Sequence, residues 1–118
     1  MRTPATMYYG QRDGRGRAAV YADPCDGTGP RRLRFLNNMQ TVMPDWGKGA
    51  DGGRTRLLAH TLLAHALEDD EWASQLSWQF AAAIIEKLHS AKWQINAAAI
   101  FAAVTALETG QEIVLRNK

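Results

Sequence analysis

The hydrophobic period of this chain changes across one glycine-rich loop. Before the loop, apolar residues alternate with polar ones in short runs; from Arg54 onward they recur at helical spacing. A period of two places side chains on alternate faces of a strand, and a period near 3.6 gathers them on one side of a helix. Strands followed by helices favour layers of separated type over a parallel α/β arrangement. The expected class is therefore α+β: a small antiparallel sheet of three N-terminal strands and a further C-terminal one, packed against three helices.

The strands are expected over 6–10 and 15–22, flanking the turn Arg12-Asp13-Gly14 as a hairpin, and over 31–36. Residues 23–30 form a loop on composition. Residues 37–53 carry Pro44 and four glycines, which suits neither helix nor strand. In the first expected helix, over 54–67, Leu58, Ala59, Leu62, Leu63, Ala66 and Leu67 share one face. Asp69 or Asp70 caps a second helix running to about His89, with a stripe of Trp72, Leu76, Phe80, Ala83, Ile84 and Leu88. Trp93 to Ile95 reads as a short extended piece. Asn96 then caps a third helix that ends near Gly110, and residues 112–116 supply the last strand.

At 118 residues the chain fits a single domain, 1–118, and can bury a core of its own. Its 46% hydrophobic and 22% charged content is that of a globular protein. With one cysteine, Cys25, no internal disulfide can form; the first sixteen residues hold no apolar signal-peptide core, and no uninterrupted apolar run approaches the length of a bilayer span. A cytoplasmic protein without a membrane role is the expectation. The net charge of +2 is unevenly placed: residues 1–56 hold ten Arg or Lys against five Asp, and the remainder holds four against seven acids. A basic half suits an acidic or nucleic-acid partner, and it also suits plain solubility.

Two places could carry function. The stretch Trp46-Gly47-Lys48-Gly49 leads through Gly52 and Gly53 into Arg54, Thr55 and Arg56. Glycines before a helix can expose N–H groups to an anion, with Lys48, Arg54 and Arg56 adding charge. The favoured reading of the same loop is a tight backbone path with Trp46 plugging the core. No Walker A spacing is present, which argues against a nucleoside triphosphatase. The second place is the outer sheet face. If Ala18, Val20, Leu33 and Phe35 point inward, Arg15, Arg17, Tyr21, Arg32 and Arg34 point outward together. Arginines around a tyrosine can hold phosphates, stack on bases or bind an acidic protein, and such charges also keep edge strands from aggregating.

The second helix carries a lesser patch of Trp78, Ala81, Ala82 and Ile85, expected to be a second packing face. No charged residue lies between Ala97 and Leu107, so the third helix is either deeply buried or a homodimer interface. At about 16 Å it is too short for a bilayer. No catalytic set emerges. His60 and His65 lie about 140° apart around a helix, a poor arrangement for one metal. Cys25 has no histidine near it in sequence, and the acids at 68–71 lack calcium-loop spacing. No cofactor, metal or catalytic residue is expected.

The loop Asp45-Trp46-Gly47-Lys48-Gly49, then Gly52-Gly53 and Leu57-Leu58-Ala59-His60-Thr61-Leu62-Leu63, resembles a family of small phage and mobile-element domains of uncharacterised function. Asp70, Ala73, Phe80, Ile84, Ile85, Leu88, Trp93 and Ile95 continue the resemblance, over roughly residues 8–100. Lys48 stands where similar sequences carry an aromatic, and the alanine-rich part after Ile100 looks extra. No activity comes with the resemblance. It implies a context in which small proteins bind and block a host factor, anti-CRISPR inhibitors among them. The expectation is a non-enzymatic protein that binds a host protein or ribonucleoprotein complex through its basic face. Direct binding of DNA or RNA is the first alternative, and an enzyme is the second.

Overall fold

The computed structural model describes residues 1–37, 40–47 and 53–110. Strand β1 (Met7–Arg12) pairs antiparallel with β2 (Ala18–Asp23), and β2 pairs in the same sense with the two-residue β3 (Arg31–Arg32). Two further short strands, β4 (Leu36–Asn37) and β5 (Gln40–Thr41), form a separate ladder. Helices α1 (Gly53–Leu67) and α2 (Asp70–Ala83) follow, then a 3₁₀ turn (Ile85–Lys87), β6 (Lys92–Asn96) and α3 (Ala97–Thr109). The result is an α+β fold, a four-stranded antiparallel sheet in the order β3-β2-β1-β6 packed against three helices.

Several boundaries differ from the sequence reading for local reasons. Strand β2 begins at Ala18, not at Arg15, because the Asp13 carboxylate accepts the N–H groups of both Arg15 and Arg17 at 2.9 Å and holds them in the turn. The third strand stops at Arg32, and part of the expected 37–53 loop pairs as β4–β5. α2 ends at Ala83, where the chain tightens into the 3₁₀ turn before reaching His89. The strand that completes the sheet is β6, laid against β1 from Met7↔Asn96 to Gln11↔Lys92. The expected strand over 112–116 lies outside the described residues.

The caps follow the sequence closely. Asp69 accepts the Trp72 N–H at 2.9 Å, with Asp70 and Glu71 adding negative charge at the positive end of α2. Asn96 accepts the Ala99 N–H at 2.8 Å, and Gly110 closes α3 in the left-handed conformation.

One face of the sheet enters the core. Tyr8, Ala18, Val20, Ala22, Trp93 and Ile95 are buried with Leu58, Leu62 and Leu63 of α1, Phe80 of α2 and Ile100 of α3. The second patch on α2 divides: Ala81 and Ile85 are buried, whereas Trp78 is 51% exposed and does not pack into the core. On α3, Ala97, Ile100, Ala103 and Val104 are buried while Ala98, Ala99 and Ala102 face solvent. No described helix is long and apolar enough to cross a membrane.

Candidate interaction surface

Side chains opposite the core build the other face of the sheet. The strand register aligns Arg32 with Tyr21, Tyr21 with Tyr9, and Tyr9 with Gln94, so one row crosses all four strands. Asp23, Met7 and Asn96 form the next row, and Ala19, Gln11 and Lys92 form the row nearest the β1–β2 turn. None of these side chains is buried.

The Tyr9 and Tyr21 rings are stacked, with centroids 5.3 Å apart and planes 24° from parallel. Flat rings side by side cannot come so close without their edges overlapping, so the faces overlap in part, in offset fashion. Neither phenolic hydroxyl has a hydrogen-bond partner among the described residues, and the Arg32, Arg34, Arg15 and Arg17 guanidinium groups make no ion pair there. A ridge of two aromatic rings, with the Arg32 guanidinium at one end of the row, is therefore turned outward.

The expected residues meet this ridge unequally. Tyr21 and Arg32 sit in it, and exposed Arg34 continues the chain beside it. Arg15 and Arg17 are exposed but lie in the turn, so strand alternation does not place them on the face. Tyr9, Gln94 and Lys92 belong to the surface although the sequence did not mark them. Adjacent Tyr8 and Tyr9 must point to opposite faces, but the sequence alone does not say which one the core takes.

The glycine loop resolves differently at its two ends. Trp46 is 2% exposed, its indole Nε1 donates to the Ser90 carbonyl at 2.9 Å, and it meets the Trp93 ring edge to face. Arg12 lies 4.5 Å from the Trp46 ring centre and is anchored to Asp45 at 2.9 Å. Trp46 is a core plug and cannot touch a ligand at the surface. Lys48 lies outside the described residues. Arg54 and Arg56 are exposed in the first turn of α1, where the Arg56 guanidinium sits 5.2 Å from the centre of the exposed Trp78 ring, away from the tyrosine row.

The Tyr8 hydroxyl and His65 Nδ1 share a hydrogen bond of 2.7 Å, and burial pushes the Tyr8 phenol far above its ordinary range. His60 contacts Asp70 at 2.9 Å. Hydrogen bonds from Arg17 and Arg15 N–H groups lower the Asp13 carboxyl, and Thr28 does the same for Asp26. Among the described residues no three His, Cys, Asp or Glu side chains cluster as metal ligands. Cys25 is exposed in the 23–30 loop.

A family model matches residues 8–106, which takes in every strand of the main sheet, α1, α2 and most of α3. The chain belongs to a family of unknown function, DUF6166. The DUF6166 match runs past Ile100 to Ala106, so most of α3 is family sequence and not an addition. No curated protein and no solved structure matches the chain. Both the tyrosine row and the buried Trp46 fall inside the DUF6166 region.

Proposed function

We propose that this DUF6166 domain is a non-enzymatic interaction protein of phage or mobile-element type, an anti-defence inhibitor in the manner of anti-CRISPR proteins, that captures an acidic surface of a host protein or ribonucleoprotein. The observation that carries the reading is the Arg32–Tyr21–Tyr9–Gln94 row on a face that buries none of its side chains. Tyrosine and arginine dominate the residues on which protein interfaces depend, because they bring large contact area together with hydrogen-bonding groups. Arg32 and the neighbouring Arg34 at one edge, and Lys92 near the other, outnumber Asp23 and give the face a positive sign that an acidic partner complements.

The ring geometry favours protein over nucleic acid. A base needs an open aromatic face, and each tyrosine gives part of one face to the other while both are half-buried. The discriminating experiment is affinity capture from a bacterial lysate, with and without nuclease, using the native chain, the Tyr9→Ser/Tyr21→Ser variant and the Arg32→Glu/Arg34→Glu variant. A protein that persists after nuclease and is lost from both folded variants supports the reading. Capture unchanged by both variants rejects this surface. Material lost entirely on nuclease treatment, with affinity falling steeply with salt, would make the domain a nucleic-acid binder instead.

A further inference from the structure

Beyond the end of β3 the chain leaves the sheet at exposed Arg34 and dives into the core at Phe35, while β5 and the residues after it return alongside. Between these segments lies a cavity of about 310 Å³. Leu33, Phe35, Val42 and Pro44 give it an apolar lining, and Arg32 and Arg34 also line it. Ala19, from the outer face of β2, contributes as well, so the cavity adjoins the tyrosine row through Ala19 and Arg32.

We propose that this cavity receives a single apolar side chain from an acidic segment of the captured protein, while Arg32 and Arg34 take carboxylates on either side of it. The proposal rests on the reading of the sheet face as a protein-binding surface and names the chemistry of its partner. At about 310 Å³ the cavity has room for an apolar side chain projecting from a docked segment. Charge decides the flanking residues. Two guanidinium groups without ion-pair partners among the described residues, beside apolar walls, are satisfied by carboxylates next to an apolar group.

The test uses the isotopically labelled full chain and three capped octapeptides: alternating Asp and Leu, alternating Asp and Ser, and alternating Lys and Leu. Nuclear magnetic resonance should show the Asp–Leu peptide shifting the Leu33, Phe35 and Val42 amides. Affinity should fall about tenfold or more for either control peptide, and equally for Arg34→Ala, whose exposed position leaves folding intact. Equal response to the Asp–Ser peptide overturns the proposal, since the cavity would then contribute nothing. Absent shifts, or shifts mapping elsewhere, overturn it too. If lysate capture still depends on Tyr9 and Tyr21 while the peptides fail, the cavity assignment alone is lost; if capture ignores the tyrosines, the surface reading itself falls.

Discussion

Any side chain at position 47 would place its Cβ 2.7 Å from the carbonyl oxygen of Leu88, and Gly47 also adopts a φ of +75°. The Gly47 N–H donates to the Ile85 carbonyl at 3.0 Å, so the loop is pinned against the 3₁₀ turn just after buried Trp46. The Trp-Gly pair of the glycine-rich loop is thus a packing device.

Gly47→Ala should lower stability by about 2 kcal/mol or more, since the left-handed conformation alone costs a non-glycine residue roughly 1–2 kcal/mol and the carbonyl must also move. Gly53 offers the control. It opens α1 with no atom of the described residues near its missing Cβ, so Gly53→Ala should be neutral or stabilising by up to about 1 kcal/mol. Urea unfolding of both variants checks the contrast, and equal losses would remove the packing explanation.

The Tyr8–His65 hydrogen bond predicts a pH dependence. Burial is the main force lowering the His65 imidazole below its usual value, and the Arg2 charge acts in the same direction. The folded state therefore binds a proton less readily than the unfolded chain. This contribution to stability is complete above the unfolded histidine pKa of about 6.5 and is lost as pH falls through the lower folded value. His65→Gln should cost about 1 kcal/mol at pH 7 through the lost hydrogen bond. Its stability should then decline less than that of the native chain between pH 7 and 5. Parallel declines would show that His65 does not carry the effect.

The elements legible in the sequence were those governed by neighbours. Asn96, Asp69 and Gly110 terminate helices through contacts within four residues, and the periodic leucines of α1 bury as their spacing indicates. The misread elements depended on remote or competing contacts. Arg15 and Arg17 alternate like strand residues, yet one carboxylate two and four positions away draws their backbone into a turn. Residues Lys92–Asn96 look extended, but nothing local reveals that their partner is β1, more than eighty residues earlier. The candidate site suffered the same limit. Tyr21 and Arg32 could be named from alternation, whereas Tyr9 and Gln94 join them only through the register of three strand pairs.

Gly10 and Trp93 should behave as one unit. They face each other across β1 and β6, and a Cβ on Gly10 would lie 2.4 Å from the Trp93 indole. The ring covers the space that the glycine leaves, a way of stabilising glycine within a sheet. Gly10→Ala should cost about 1–3 kcal/mol by overpacking. Trp93→Leu should remove much of that penalty, giving a coupling above about 0.5 kcal/mol in a double-mutant cycle. Strict additivity would mean that the indole moves aside freely.

The two core tryptophans should differ in what their N–H groups are worth. Trp46 Nε1 donates to the Ser90 carbonyl and its ring receives Arg12, whereas the buried Trp93 Nε1 has no partner among the described residues. Trp46→Phe loses a hydrogen bond and a cation–π contact along with volume. Trp93→Phe loses volume but also removes an unpaired buried donor, whose desolvation penalty is about 1–3 kcal/mol. Trp46→Phe should therefore be the more destabilising change by about 1 kcal/mol or more in urea unfolding. Equal costs would mean that the Trp93 N–H is satisfied in solution.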